Sequence, residues 1–508
     1  MDNKTNDSQI IIIGAGFAGL AAGIYAQMNG YKSQIFEMHN LPGGLCTAWQ
    51  RKGYTIDCCI HWLVGSSPES SMHDLWEEVG ITQGRHFINM DEYYHLEDAD
   101  GRTLTFYTNV DRLEKHLLEF APGDAETIRE FIRGIRICRN FNRPSVKKPL
   151  PERLVKQAKL FLNIMRYGKK FQEWMKITCQ DFANRFNDPL LKIAFRDMWI
   201  PDFSLFFIFF TFAYLHDKDA GYPLGGSMPM SEALERRYEA LGGVIHYNSR
   251  VEKVITEGDN AVGIRLDDGT EHLCSKVISA ADGYTTIFKM LGGKYTNDNI
   301  REMYEKWLLF PPLIYASIGV NRTFTDLPLS VSGFSFPIKE PAVIGEKERN
   351  RLYVHIFNHD PSMAPPGKTV IIIMLNTDYE YWRILARDKS VYVQKKEEIA
   401  NKLIKILEQR FPGITSQVEM VDIATPMTFE KYTGNWKGSF EGWLITPENS
   451  KVIMKPMSQS LPGLNNFYMC GQWIEPGGGL PTGIMSGRRL IKRLCKEDHR
   501  KFRTTPTT

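Results

Sequence analysis

The pattern of apolar positions predicts a strand, a tight turn, a helix and a second strand at the start of the chain. Residues 10–13 are four consecutive isoleucines, a short apolar run typical of a buried parallel strand. Apolar residues then recur at helical spacing over residues 17–28, and Gly30 ends that pattern. A second strand is predicted over residues 33–36. The order of these elements predicts one half of a doubly wound α/β unit.

The apolar pattern changes twice further along the chain. Residues 111–215 are predicted to be mainly helical, and strand patterns then dominate from 244 to 280 and from 313 to 375. A long amphipathic helix is predicted over 392–410. The chain then returns to a strand over 466–470, a glycine cluster, and a helix from Thr482. Since this order repeats that of the N-terminus, we expect both ends of the chain to meet in one site.

The turn between the first strand and helix carries the pattern GxGxxG, residues 14–19. Glycines in this context let the backbone approach a pyrophosphate, which the free N–H groups and dipole of the helix N-terminus favour. Glu37 follows the second strand and would accept hydrogen bonds from a ribose. The turn therefore predicts a dinucleotide site. Its candidate residues are Gly14, Gly16, Phe17, Ala18, Gly19 and Glu37.

Composition narrows the function classes. The 508 residues predict two to four domain-sized units. A net charge of +3 is too small to indicate nucleic acid as a partner. The longest apolar run, 203–215, is too short to cross a bilayer and predicts a buried or cavity-lining helix. The eight cysteines have no metal-ligand spacing, so we expect no metal and reduced thiols in a cytoplasmic protein.

Six segments in order resemble the phytoene desaturase, carotenoid isomerase and retinol saturase family of flavin enzymes. They are GAGFAGLAAGIYAQMNG with Glu37 and Pro42-Gly43-Gly44, and then the segments 49–68, 221–254, 276–282, 424–443 and 467–487. The resemblance implies that FAD is the dinucleotide. It also implies that the glycine turn near the C-terminus lies against the flavin ring, with the N-terminus of the next helix directed at the ring.

Further cofactor-binding residues follow from this resemblance. Gln472 stands where the family usually has an acidic residue, and Leu45 where many relatives have arginine. The residues implied to bind FAD, beyond those of the first turn, are Gly43, Gly44, Leu45, Val251, Gly471, Gln472, Gly478, Gly479, Leu480, Pro481 and Thr482.

Enzymes of this kind need few catalytic side chains, because the cofactor carries the hydride or electrons. His61 is the candidate that would face the flavin and move a proton, and a structural, hydrogen-bonded histidine is the alternative. The candidates for lining a substrate cavity are Phe207, Phe210, Tyr222 and His355.

The segment 147–176 has nine Lys or Arg residues against two Glu. Apolar residues at 154, 158, 161, 162 and 165 keep helical spacing. A basic amphipathic helix of this kind predicts contact with a membrane surface. The solvated face of a core-packed helix is the alternative. A peripheral position on the inner face of a membrane would suit a protein that takes its substrate from the bilayer.

These inferences combine into an α/β protein. It would have a Rossmann-like FAD-binding domain of the two-dinucleotide-binding type, with an interleaved α+β substrate domain. The FAD domain is predicted over 1–80, 220–290 and 440–508, and the substrate domain over 81–219 and 291–439. The implied activity is desaturation, isomerisation or saturation of C–C or C=C bonds in a lipophilic polyene.

Two alternatives to this function stay open. One is a flavoenzyme like the amine oxidases or protoporphyrinogen oxidases, which share the architecture. The other is a lipid- or carotenoid-binding protein that keeps FAD without catalysis. Neither the individual substrate, nor the direction of the reaction, nor the electron partner, nor the oligomeric state follows from the sequence.

Overall fold

The computed structural model describes residues 9–141, 145, 147, 149–453 and 455–505. Parts of three predictions lie outside these residues. They are residues 1–8, 454 and 506–508 of the predicted FAD domain, residues 142–144, 146 and 148 of the predicted substrate domain, and residue 148 of the basic segment 147–176.

The described residues form both strands and helices. The strands are β1 Gln9–Ile13, β2 Lys32–Phe36, β3 Ala48–Arg51, β4 Tyr54–Asp57, β5 Leu63–Val64, β6 Phe87–Ile88, β7 Glu92–Glu97, β8 Thr103–Tyr107, β9 Ala220–Pro223, β10 Val244–His246, β11 Val251–Glu257, β12 Asn260–Leu266, β13 Glu271–Leu273, β14 Lys276–Ser279, β15 Leu313–Val320, β16 Phe334–Ile344, β17 Lys347–Ile356, β18 Thr369–Asn376, β19 Val418–Ala424 and β20 Phe467–Met469.

The α-helices of the same residues are α1 Phe17–Met28, α2 Ser71–Val79, α3 Val110–Phe120, α4 Ala125–Arg139, α5 Leu150–Trp174, α6 Cys179–Ala183, α7 Pro189–Asp197, α8 Leu205–His216, α9 Met228–Ala240, α10 Asp298–Lys306, α11 Tyr379–Leu385, α12 Lys389–Arg410, α13 Pro426–Thr433 and α14 Leu480–Glu497. None of them is long and apolar enough to cross a membrane.

A five-stranded parallel sheet forms the centre of the molecule, in the order β10-β2-β1-β14-β20. The isoleucines of β1 are buried, as expected for a strand covered on both faces. The strands come from three distant parts of the chain, and β14 pairs with β20 from the C-terminal part. The two ends therefore meet in one sheet, and the predicted α/β class is confirmed.

A second sheet has the order β19-β15-β18-β17-β16-β7-β8 and is mostly antiparallel. Its strands come from both regions predicted to build the substrate domain, and β16 joins them by pairing parallel to β7. One face packs on α12, where Leu403 and Leu407 are fully buried. Helix α8 is the buried helix predicted over 203–215. The predicted domain boundaries themselves stay a prediction.

The last helix begins earlier than its predicted start at Thr482. Helix α14 starts at Leu480, directly after Gly479, whose φ is +82°. Pro481 does not delay the helix, because the missing N–H of proline is not needed in the first helical turn. Thr482 therefore lies inside the first turn, where its hydroxyl donates to the carbonyl oxygen of Gly479 at 2.7 Å.

Candidate functional site

A cavity of about 1190 Å³ lies at the carboxyl ends of β1 and β2. This edge is where ligands bind in open parallel sheets. Most of the residues predicted to bind the cofactor line it. They are Gly14, Gly16, Phe17, Ala18, Glu37, Gly43, Gly44, Leu45, Val251, Gly471, Gln472, Gly479, Leu480 and Thr482. Gly19, Gly478 and Pro481 lie outside the lining, and the binding roles of all these residues stay predictions.

The glycines of the first turn have different tasks. A side chain on Gly19 would overlap the carbonyl oxygen of Gly14, so this glycine allows α1 to pack closely on the turn. At Gly16 the nearest atom to an added Cβ is the carbonyl oxygen of Gly43, at 4.0 Å. The space beside Gly16 belongs to the cavity, which leaves its backbone open to the close approach of a phosphate.

A second glycine pair closes this end of the cavity. Gly43 has a φ of +103°, and its N–H donates to the carbonyl oxygen of Ala15 at 2.8 Å. A side chain on Gly43 would overlap the hydroxyl of Ser231 on α9. Gly44 lies close to Gly16, since an added Cβ would be 3.4 Å from its Cα. The predicted phosphate loop is thus a double turn in which two glycine backbones face each other.

Glu37 lies at the end of β2 and is buried. Its carboxylate accepts the N–H groups of Ala15 at 2.7 Å and His39 at 2.8 Å. Burial raises the pKa of Glu37, and these backbone donors and Arg250 oppose the increase. A carboxylate has about four acceptor positions, so two remain for the hydroxyls of a ribose.

Arg250 and Lys289 also line the cavity, and the motif search missed both. Both supply positive charge to the cavity, and Arg250 acts on the carboxylate of Glu37. The signal for Arg250 was available in principle, because it stands directly before Val251 in the segment 221–254. Lys289 lies after β14, where no pattern indicated a ligand.

The C-terminal glycine turn reaches the same cavity from the opposite end of the chain. Gly477, Gly478 and Gly479 have φ values of +108°, +70° and +82°, which side chains rarely adopt. Gly471 lies against α1, since an added Cβ would be 3.2 Å from the Cβ of Ala18. The first turn of α14 lines the cavity. The N–H groups of that turn, which have no partner within the helix, therefore border the space in which a cofactor would bind.

Glu441 lines the cavity beside this turn and was not predicted. Its Oε2 atom would be 2.5 Å from a Cβ added to Gly478. Burial raises the pKa of Glu441 to about 7. The residue lies within the segment 424–443 that carried the family resemblance, but no periodic pattern distinguished it from a surface glutamate.

His61 lies outside the lining of this cavity. Its ring stacks on that of His355, with the centroids 4.6 Å apart. Burial lowers the pKa of His61 to about 4, so the ring is neutral at pH 7. Neither ring nitrogen of His355 has a hydrogen-bond partner among the described residues. The proton-carrying role of His61 stays a prediction.

Asp57 fixes the loop that carries His61. The carboxylate is fully buried and accepts the backbone N–H and the hydroxyl of Ser227, at 2.5 and 2.6 Å. It also accepts the N–H groups of Cys59 and Ile60, at 2.9 and 3.1 Å. This carboxylate joins the segment after β4 to the start of α9, and sequence reasoning missed it because its partner Ser227 is 170 residues away.

The other substrate-cavity candidates also lie outside the lining. The ring of Phe207 lies 3.7 Å from the position of a Cβ on Gly477 in the C-terminal turn. Phe210 packs on Phe206, with centroids 4.9 Å apart. The buried hydroxyl of Tyr222 donates to Asp360 at 2.9 Å. Contact of these residues with substrate stays a prediction.

The architecture fits FAD. The double glycine turn has room for a pyrophosphate beside Gly16, Glu37 keeps acceptor positions for a ribose, and the Gly477–Gly479 turn borders the far end of the cavity. These three features are spread along one cavity, as an extended dinucleotide requires. The described residues include no group of His, Cys, Asp and Glu that could hold a metal ion.

Comparison with known proteins agrees with this geometry. The family model described as flavin containing amine oxidoreductase matches residues 17–490. Prolycopene isomerase 1 from an Oncidium hybrid cultivar is 24% identical over 516 aligned positions, which cover 97% of this chain and 85% of that protein. The neurosporene-forming phytoene desaturase of Rhodobacter capsulatus is 24% identical over 513 positions, covering 97% and 95%.

Among solved structures, an oxidoreductase from Methanosarcina mazei has a TM-score of 0.59 and 16% identity, covering 95% of this chain and all of that one. This likeness shows the fold alone. The relatives confirm the predicted resemblance to phytoene desaturases and carotenoid isomerases. Since the family match spans most of the chain and the cavity fits the cofactor, the protein belongs to the flavin-containing amine oxidoreductase family and is an FAD-dependent oxidoreductase.

Proposed function

We propose that this protein desaturates, isomerises or saturates C–C or C=C bonds of a lipophilic polyene such as a carotenoid, a retinoid or another isoprenoid. The apolar lining beside the C-terminal glycine turn carries the proposal. Phe440, Trp473 and Leu480 line the cavity there, and the ring of Phe207 lies next to Gly477. The names of the relatives, prolycopene isomerase and phytoene desaturase, support the same class of substrate.

FAD, when bound, supplies the exchange of hydride and electrons that this chemistry needs. The chain orients it through the double glycine turn at one end and the Gly477–Gly479 turn at the other. The N–H groups and the dipole of α14 would stabilise negative charge that develops at the adjoining part of the ring. The apolar side chains at this end exclude water from the reacting carbons.

An amine oxidase is the second enzymatic candidate. Such an enzyme would bracket a cationic substrate between aromatic rings, and Trp443 and Trp473 are an aromatic pair close to the C-terminal turn. Their rings meet edge to face, with an interplanar angle of 84° and centroids 5.3 Å apart. Trp443 is fully buried and does not line the cavity. This arrangement leaves no slot between parallel rings, so it favours the polyene.

The proposal is tested with FAD-loaded protein and polyene-containing liposomes under anaerobic conditions, with a quinone as electron acceptor. We expect a shift of the polyene absorption maximum, or a new isomer on chromatography. Hydrogen peroxide formed from amines in air, with the polyene unchanged, would instead indicate an amine oxidase. Bound FAD that neither cycles nor changes the polyene would indicate a binding protein. Mass spectrometry of lipids extracted from the purified protein identifies the substrate class independently.

We further propose that α5 holds the protein on an anionic membrane surface. Six large apolar residues of this helix are exposed, and Phe161, Leu162 and Met165 are 63%, 64% and 72% exposed. Lys156, Lys159 and Arg166 are exposed on the same helix. Exposed apolar side chains among basic ones are typical of helices that lie in a membrane interface. The helical spacing therefore does not reflect packing on the core.

The inner, cytoplasmic face of a membrane is the position that we propose. All eight cysteines are free, as expected for a reducing compartment. Anionic lipids on that face would attract the basic residues of α5. A protein in this position reaches a lipophilic substrate without crossing the bilayer.

A further inference from the structure

Glu441 differs from the other carboxyl groups that line the cavity. Each of the others accepts at least one hydrogen bond from a described residue. Their donors are Ala15 and His39 for Glu37, Thr285 and Trp436 for Asp282, Trp49 for Asp422, and Tyr379 for Glu430. Glu441 has no hydrogen bond and no ion pair with any described residue.

Glu441 lies at a crowded point of the cavity, beside the C-terminal glycine turn. Its carboxyl lies against the Gly477–Gly479 turn, with Oε2 2.5 Å from the place of a Cβ on Gly478. Only glycine leaves room for the carboxyl at this point. Glu441 is half-buried, and removing a carboxylate from water without a compensating hydrogen bond costs free energy. Its location at the end of the cavity that borders the flavin points to chemistry.

The surroundings of Glu441 leave its protonation state close to balance at neutral pH. Burial alone raises its pKa to about 7. Of the other titratable groups that line the cavity, Cys58 and Cys59 have raised pKa values and stay neutral thiols, and burial raises the pKa of Asp282 to about 6. No charged group contributes to the raised pKa of Glu441. Glu475, from the segment after β20, is paired with Arg489 at 2.8 Å. Glu441 can therefore gain or lose a proton without a fixed neighbouring charge.

We propose that Glu441 is the group that exchanges a proton with the substrate during hydride transfer. The inference rests on the proposed polyene chemistry. When CH–CH becomes C=C, two C–H bonds break. FAD, when bound, would supply the acceptor for one hydrogen with its electron pair. The carboxylate of Glu441 would take the other hydrogen as a proton and become a carboxylic acid. In saturation the acid returns the proton to the carbon.

The direction of the reaction then sets the sign of the pH dependence. Desaturation needs the carboxylate, so its rate rises with pH through the region of pH 7. Saturation needs the acid, so its rate falls over the same range. Proton transfer by a positioned group contributes about 10²- to 10⁴-fold, and we expect a loss of that size in turnover for Glu441→Gln.

The test measures the visible absorption of the bound oxidised flavin between pH 5 and pH 9, together with the pH profile of turnover. A wild-type spectral change with a midpoint near pH 7 is expected, because the charge of Glu441 changes beside the ring. Glu441→Gln should remove the change and retain the flavin. Glu448→Gln makes the same chemical replacement at an exposed position of the same segment and should keep it. Glu441→Asp retains a carboxyl and should keep a spectral transition if the glutamine variant is too unstable.

The outcomes separate this inference from the proposed function. If the wild type turns over polyene but shows no spectral or kinetic transition near pH 7, the role of Glu441 is refuted and the function stands. The same holds if Glu441→Gln keeps the transition. If the wild type shows a transition that Glu441→Gln removes, but does not act on polyenes, the proposed function fails, while the titration of Glu441 beside the flavin is still established.

Discussion

At the scale of single residues, Gly16 and Gly19 provide a test of cofactor binding that separates it from folding. A side chain at Gly16 extends into the cavity and meets no atom closer than 4.0 Å with its Cβ. Gly16→Val should therefore leave the fold intact and abolish binding of FAD. The measurement is the absorbance near 450 nm after purification, with circular dichroism as the measure of folding.

Gly19→Ala is the contrasting variant. Its methyl group overlaps the carbonyl oxygen of Gly14, so the turn or helix α1 must shift. We expect this variant to unfold at lower temperature, with or without FAD. A folded Gly16→Val protein that kept its full yellow colour would contradict the assignment of the first turn.

Glu441 should also affect stability as pH changes. Its folded pKa of about 7 exceeds the ordinary value of 4.5, so it contributes stability that is fully present below pH 4.5 and is lost as pH rises through 7. In the flavin-free protein, the unfolding free energy lost through Glu441 is up to about 3 kcal/mol. Glu441→Gln should abolish that loss.

Urea unfolding at pH 5 and pH 8 measures this effect. We expect wild type and Glu448→Gln to show the same fall in unfolding free energy between the two pH values, because the pKa of Glu448 is lowered and not raised. The unfolding free energy of Glu441→Gln should fall less between the two pH values. An equal fall in all three proteins would show that the carboxyl of Glu441 is solvated in the folded state.

At the scale of elements, the basic residues of α5 provide a test of the proposed membrane contact. Charge reversal at Lys156, Lys159 and Arg166 should weaken binding to vesicles that contain phosphatidylglycerol. Each basic residue near such a surface contributes roughly 1 kcal/mol, so the combined change should exceed tenfold. Co-sedimentation with anionic and neutral vesicles, at low and high salt, measures it.

A matched control places the same three charge reversals at Lys405, Lys492 and Lys496, which are exposed on α12 and α14. These should leave vesicle binding nearly unchanged, apart from the small effect of net charge. A second variant, with serine at Phe161, Leu162 and Met165, should weaken binding without altering charge. Equal binding of all variants, or no binding by the wild type, would reject the membrane role of α5.

The elements themselves were largely predictable where the signal was local. Four consecutive isoleucines followed by GAGFAG define β1, its turn and α1 within 20 residues, because strand burial and turn geometry both act over short range. The start of α14 differs from its prediction by two residues, because the glycines and Pro481 favour a loop that continues to Thr482. Asp57 and Glu441 could not be found, because their environment is formed by chain segments far away in sequence.

At the scale of the whole molecule, the number of dinucleotide motifs bears on which molecule exchanges electrons with the flavin. The sequence has one complete GxGxxG, and it lies at the double glycine turn of the FAD cavity. We therefore expect NADPH to reduce the bound flavin slowly and without saturation. Anaerobic stopped-flow mixing measures this. A quinone should reoxidise the chemically reduced protein rapidly.

Fast, saturable reduction by NADPH would show that a nicotinamide site exists outside the motifs found. NADH serves as the comparison, because a specific site for the 2′-phosphate would make the two rates differ. Equal slow rates for both are expected for direct collision with a partly accessible flavin. The oligomeric state does not enter this prediction, since the cavity is built by one chain.

The order of strands in the central sheet has a consequence for the way the protein is made. Strand β14 ends at Ser279, and its partner β20 starts only at Phe467. At about 5–20 residues per second, a ribosome needs roughly 10–40 s to make the intervening chain. During that time β14 has no partner strand on one side, and the cavity lacks the lining residues that follow β20. A nascent chain therefore cannot hold a working flavin, and redox chemistry begins only once the protein is nearly complete.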